Sequence, residues 1–414
     1  MRRAAVTAGA VLALVAAVTV PAAGAPPRCQ GESATIVGTD GIDRIRGTSG
    51  DDVIVALGGA DVVRARGGDD LVCGGAVSDR LLGGGGADEL FGGPESDRLF
   101  GGAGDDELHG GPLGRYGRGV DRATYRGAPA AVVVDMTTGT VTGHGEDRLF
   151  DIETVFGSRH GDAMTAAHDR ASQFFGAGGD DELVAGAAGA RLDGGAGSDR
   201  LIGGPAPDDL LAGGDEGDDR LEGRGGDDGL WADRGADELL AGPGDDTLAD
   251  GPDDTVLDGG EGADSVWMST SQSVLVDLGA GTATGAGVDT LVDVEDVRTG
   301  YGDDVVIGDD ADNAIHVGYG ADEVHAGAGD DRVEGDAGDD VLAGAEGDDV
   351  VIGDPRWPFE GEGVDELSGG AGDDRLAGGP LDDVLDGGPD FDELDGGDGA
   401  DACAAGEDVY NCEP

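Results

Sequence analysis

The nine residues GGAGDDELH, Gly101 to His109, hold the plan of the whole chain. Three glycines in four positions let the backbone take positive φ and turn tightly, so that its carbonyls face a common centre. The residues after the turn form a minimal strand in which Leu108 points inward and its neighbours outward. From Asp43 the unit recurs without a break: an aspartate returns every ninth residue, at Asp52, Asp61, Asp70, Asp79, Asp88, Asp97 and Asp106. Two positions after each stands an aliphatic, at Ile45, Ile54, Val63, Val72, Leu81, Leu90, Leu99 and Leu108. A fixed period of this kind describes a solenoid whose windings repeat one chemistry. Two units complete a winding of eighteen residues, with one strand in each of two facing sheets.

The period divides the chain into blocks. The first lies in 26–112. The second, 157–267, carries Asp162, Asp181, Asp199, Asp208, Asp219, Asp228, Asp237, Asp246, Asp254 and Asp264. Its phase slips where Ala171, Ser172 and Ala190 stand for aspartate and where residues are added at Gly214 to Gly217. The third, 299–414, runs through Asp304, Asn313, Asp322, Asp331, Asp340 and Asp349. After an excursion with Trp357, Pro358 and Phe359 it closes with Asp365, Asp374, Asp383, Asp392 and Asp401.

Between the blocks lie 113–156 and 268–298, which share a pattern: VVVDMTTGTVTGHGEDRLFDIETV (Val132 to Val155) and VLVDLGAGTATGAGVDTLVDVEDV (Val274 to Val297). β-Branched runs around Gly139 or Gly281 read as β-hairpins that interrupt the coil and let it resume. The fold class expected is therefore all-β: a parallel β-roll, or β-solenoid, in three blocks with two hairpin-like inserts.

A formal charge of −64 arises from 89 acidic residues against 25 basic ones, none of them lysine. Such a chain repels nucleic acid and anionic membranes and attracts cations. Aromatics at 4% and 86 glycines would suit a disordered chain, but disorder has no reason to keep an aliphatic in phase with an aspartate.

In a coil, aspartates eighteen apart stack at about 4.8 Å. Asp43, Asp61, Asp79 and Asp97 line one edge, and Asp52, Asp70, Asp88 and Asp106 the other. Each adjacent pair repels by roughly 0.9 kcal/mol in water, more where water is excluded. Two aliphatics per winding are too small a core to order eighteen residues against this. A hard divalent cation taking six to eight oxygens relieves the repulsion, and calcium fits an all-oxygen, adaptable site better than magnesium or zinc.

Met1 to Ala25 reads as a secretory signal peptide: Arg2 and Arg3, an apolar run to Val20, then small residues, with cleavage after Ala22 or Ala25. No later stretch is long and apolar enough to span a bilayer as a helix. Export to an oxidising setting suits one cysteine pair near the start, Cys29 and Cys73, and one at the end, Cys403 and Cys412, each clamping a terminal coil as a disulfide. Unpaired thiols and Cys-only zinc sites are the alternatives.

Units such as GGGGADELF (Gly83 to Phe91), GGAGSDRLI (Gly194 to Ile202) and GGAGDDRLA (Gly369 to Ala377) resemble the RTX, or haemolysin-type, calcium-binding repeat. The resemblance implies a parallel β-roll with calcium held between loops by the sixth-position aspartates and turn carbonyls. Sites where Ala190, Ser172 or Asn313 replaces aspartate are expected to be weak or empty. The chain departs from many relatives in its N-terminal signal and cysteine-bearing end.

The function expected is a secreted, extracellular calcium-binding protein that folds on calcium and is not an enzyme. There is no His-Glu-x-x-His and no Gly-x-Ser-x-Gly, and the six histidines have no evident nucleophile beside them. Trp231, Trp267, Trp357, Phe359, Tyr301 and Tyr319 are read as covers for breaks in the repeat. Two other readings stay open: an adhesin or matrix protein whose inserts or Trp357 loop bind a glycan or protein, and a calcium-dependent hydrolase.

Overall fold

The computed structural model describes residues 26–112, 119–168, 170–214, 217–268, 271–285, 287–355 and 363–412. The proposed signal peptide and the residues Trp357, Pro358 and Phe359 lie outside them. Among the described residues there is no helix, and no helix long and apolar enough to cross a membrane.

Each nonapeptide contributes one short strand, and successive strands alternate between two parallel sheets. The register is the eighteen-residue one: Leu81 pairs with Leu99 and Val63 in the first sheet, Leu90 with Leu108 and Val72 in the second. The aliphatic in each strand is the buried one, as the pleat requires. Ile54, Leu81, Leu90, Leu99, Leu201 and Leu257 are fully buried. The core is thus a file of aliphatics two residues wide between the sheets.

Pairing is continuous from Ile36 to Tyr410, so the coil blocks form one roll. The inserts do not stand apart as hairpins. In the first, Glu107–His109 pairs in parallel with Glu146–Phe150, which runs antiparallel to Thr140–Thr142, itself antiparallel to Val133–Asp135; that strand then pairs in parallel with Ala163–Thr165. The second repeats this through Val288–Val292, Thr282–Thr284 and Leu275–Asp277. Gly139 and Gly281 make the turns at φ +71° and +65°. The first sheet passes both inserts without interruption, Arg122–Thr124 pairing with Thr154–Phe156 and Ser265–Trp267 with Asp296–Arg298. Each insert therefore adds two strands to one sheet only, giving 23 strands against 19 among the described residues.

Both cysteine pairs form disulfides, Cys29–Cys73 and Cys403–Cys412. The second closes the C-terminal coil, as expected. The first does something different: Arg28–Cys29 and Glu32–Ser33 form a small hairpin, and Cys73 lies in the third strand of its sheet, behind Ile36–Val37 and Val53–Val55. This disulfide straps the hairpin over an outer face rather than capping the open end.

Candidate functional site

The aspartates fall into two ladders, one leading into each sheet. All the sequence-identified ones are buried except Asp43, which is half-buried. They do not face one another across coils. Instead, after the first coil, the Oδ1 of a ladder aspartate accepts the backbone N–H of its counterpart one winding earlier, as in Asp52 N to Asp70 at 2.8 Å, Asp61 N to Asp79 at 2.8 Å, Asp88 N to Asp106 at 2.9 Å, Asp322 N to Asp340 at 2.9 Å and Asp383 N to Asp401 at 2.9 Å. Half of each carboxylate thus ties neighbouring coils together.

The other oxygen separates the turns into two kinds. In the turns ending at Asp61, Asp70, Asp88, Asp181, Asp228, Asp340 and Asp349, Oδ2 is buried with no hydrogen-bond partner. The residue four positions earlier has positive φ in every one: Leu57 +80°, Arg66 +92°, Gly84 +128°, Ala177 +84°, Arg224 +77°, Asp336 +69° and Ala345 +96°. Six of these seven are not glycine, so the fold imposes the conformation. That torsion sends the residue's own N–H to the next coil, as Arg66 N to Gly83 O at 2.7 Å and Asp336 N to Gly353 O at 3.0 Å.

In the second kind, the same N–H turns inward and satisfies Oδ2. Thr39 N donates to Asp43 at 2.6 Å, Thr48 N to Asp52 at 2.6 Å, Ser158 N to Asp162 at 2.5 Å and Gly204 N to Asp208 at 2.6 Å; Asp309 N does the same to Asn313 Oδ1 at 3.1 Å. At Asp237 the donor is Asp233 N, at 3.4 Å. Here the carboxylates of Asp219, Asp233 and Asp237 come within 4.8 Å of one another.

Turns of both kinds hold an oxygen-lined cradle where a glycine stands five places before the aspartate; in the first kind its carboxylate oxygen has no donor. A Cβ placed on Gly83 would lie 2.2 Å from Asp88 Oδ2 and 2.7 Å from the Gly101 carbonyl oxygen of the following coil. Gly74, Gly176 and Gly369 face the equivalent pair of oxygens. Carboxylate and carbonyl from successive coils, with no nitrogen or sulfur, suit a calcium ion. Buried oxygens without donors cost stability unless a cation or proton meets them. At Asp304 the glycine is replaced by Thr299, whose hydroxyl donates to Val317 O at 2.5 Å, at Asp322 by Val317, and at Asp61, Asp70, Asp246 and Asp331 by the smaller Ala56, Ala65, Ala241 and Ala326.

Burial favours the protonated form of many ladder carboxyls. Loss of water pushes them up from 3.8, to about 7 for Asp79, Asp106 and Asp322 and about 8 for Asp97, Asp181 and Asp340. The N–H from the preceding coil opposes the shift, and neighbouring carboxylates add to it.

The RTX calcium-binding nonapeptide-repeat model matches residues 37–72, 46–81, 82–112, 175–210, 213–248, 316–351, 361–382 and 378–409, together more than half of the chain. The chain belongs to the RTX family. Comparison with curated proteins finds no match. Its RTX ladders also contain members that reading by nine does not reach. Asp121, Asp147 and Asp289 occupy ladder positions, and Glu153, Glu295 and Glu407 do so with a longer arm, accepting Asp121 N at 2.8 Å, Asp264 N at 2.9 Å and Asp392 N at 3.0 Å. The Ile-Glu and Val-Glu pairs at the ends of the inserts were the signal for two of them. Conversely Asp254 is one residue off the ladder: Thr255 takes the place, next to Asp237 on one side and Asp289 on the other.

Proposed function

We propose that the protein is exported and binds several calcium ions between its coils, folding as it does so, and that its role is structural rather than catalytic. The observation that carries this is the row of buried Oδ2 atoms without donors, several of which, as at Asp79, Asp88, Asp181, Asp228, Asp340, Asp374 and Asp383, face a carbonyl of the next coil across a glycine. The residues that would hold calcium are those of the first kind of turn, among them Asp61, Asp70, Asp79, Asp88, Asp97 and Asp106 in the first block, Asp181, Asp228 and Asp246 in the second, and Asp331, Asp340, Asp349, Asp365, Asp374, Asp383, Asp392 and Asp401 in the third. Calcium would supply the positive charge that the stacked carboxylates lack. The self-closed turns at Asp43, Asp52, Asp162, Asp208 and Asn313 would take none.

Two further features support the reading. The disulfides suit an oxidising compartment, where extracellular modules bind calcium at about 10⁻⁴–10⁻³ M. Two of the histidines are held by packing or ion pairs: His109 stacks between Phe91 and Phe150 with ring centroids 4.3 Å away on each side, and His316 lies 3.2 Å from Glu334 and 2.6 Å from Asp336. Equilibrium dialysis of the mature chain against calcium and against magnesium tests the proposal. Binding of many calcium ions per chain with little magnesium uptake is expected; one or two ions, or equal uptake of both metals, would refute it.

A further inference from the structure

The outer face of the first sheet contradicts the charge of the chain. From the strand Arg44–Arg46 to the strand Gln173–Phe175, seven strands in a row contain no Asp or Glu, in a sequence with 89 of them. Arg44, Arg46, Arg64, Arg80, Arg98 and Arg122 lie on these strands, beside the buried core residue of each and so facing outward. Arg80 pairs in register with Arg98, and Arg98 with Arg122, which sets three arginines side by side on neighbouring strands at about the strand spacing of 4.8 Å.

Like charges directly opposite on neighbouring strands destabilise a sheet, so the row is not explained by the stability of the fold. None of Arg80, Arg98, Arg122 and Arg126 makes an ion pair among the described residues, and Arg122 Nε is buried without an acceptor. Some arginines elsewhere are paired: Arg200 and Arg220 with Glu222, Arg375 with Glu393. The unpaired set surrounds an open cleft of about 490 Å³ with Phe100 and Phe156 in its wall. The first carboxylate met along the face is Asp193, beside Arg191 and Arg126.

We propose that this face binds a linear acidic polysaccharide, whose regularly spaced carboxylates are taken by the Arg80–Arg98–Arg122 row. Guanidinium forks match carboxylates in a bidentate manner, which a point charge does not. A single-stranded nucleic acid fits less well, because it relies on free ring faces for base stacking. Here Phe156 is engaged by Phe175 at 4.6 Å and by Arg126 at 4.6 Å, and Phe100 by Arg80 at 4.7 Å. The proposal goes beyond the calcium reading and rests on it in one respect: metal loading lowers the net negative charge that otherwise repels any polyanion at long range.

The test is binding of fluorescent hyaluronate to the full mature chain in calcium, with neutral dextran and a single-stranded oligonucleotide as parallel probes. Circular dichroism on the same samples reports calcium-dependent folding separately, so failure of the calcium reading is visible by itself. The double variant Arg80→Glu/Arg98→Glu, at exposed positions, is expected to keep its strand signal and bind hyaluronate about tenfold more weakly or worse, with wild-type binding falling as salt rises. Arg375→Glu, on the same sheet but paired, is expected to bind as wild type. Equal hyaluronate binding by the double variant, equal binding of dextran, or tighter binding of the oligonucleotide would overturn the proposal.

Discussion

The turns ending at Asp52 and Asp88 sit on the same edge, two coils apart, and both aspartates are buried. In the first, Thr48 N–H closes onto the second carboxylate oxygen at 2.6 Å. In the second, Gly84 at φ +128° turns that N–H away and leaves the oxygen without a donor. One backbone torsion thus separates an aspartate capped by its own turn from one whose second oxygen has no donor. On the proposed reading a nonapeptide of the right composition is not sufficient, because in the turns from Leu57 to Asp61 and Arg66 to Asp70 the free oxygen goes with a positive φ four places earlier.

The largest consequence concerns the chain without metal. Carboxyls raised to about 7 or 8 in the fold, from 3.8, bind more protons folded than unfolded across the interval between. Stability of the metal-free fold is then fully present below about pH 4 and is lost as pH rises toward 8. In chelator, strand content followed by circular dichroism should fall over this window, whereas in calcium it should stay high at pH 8. Because ligands must be deprotonated, calcium added near pH 7 should also release protons, measurable in a weakly buffered solution.

Substitution sharpens the contrast between the two turns. Asp88→Asn should lower the number of bound calcium ions and cost the calcium-loaded protein on the order of 2–3 kcal/mol in denaturant unfolding. Asp52→Asn, which keeps an oxygen for Thr48 N–H, should leave the calcium count unchanged. Equal loss in both variants would erase the distinction. A smaller effect is expected at the non-glycine residues forced to positive φ. Leu57→Gly or Arg66→Gly relieves strain worth on the order of 1 kcal/mol, so unfolding midpoints should rise slightly; Thr48→Gly, at a turn with no such strain, should not raise them.

Much of this was legible in the sequence, because one aspartate and one aliphatic per nine residues fix the coil, both edges and the core from Asp43 to Asp106. The inserts were less so: alternation around Gly139 and Gly281 gave the turns, but the third strand of each, Glu146–Phe150 and Val288–Val292, joins the parallel ladder through pairings 41 and 34 residues away in sequence. Glu153 and Glu295 were hidden because their longer arms stand where a nine-residue rule looks for aspartate. Asp254 misled for the opposite reason, being the right residue one position out. The two kinds of turn were invisible, since Leu57, Arg66 and Ala345 carry no chemical mark of the torsion that neighbouring coils impose. The arginine face was hidden in part too: Arg80 and Arg98 are eighteen apart, but Arg122 joins them only after an interruption of the period.

The central claim is that the roll closes around cations set between its coils. Circular dichroism of the purified mature chain, stripped of metal at pH 8 and titrated with calcium, with magnesium as the control, tests it most directly. A cooperative change from coil to strand with calcium alone is expected. A full strand signal in chelator at that pH, unchanged by calcium, would contradict it.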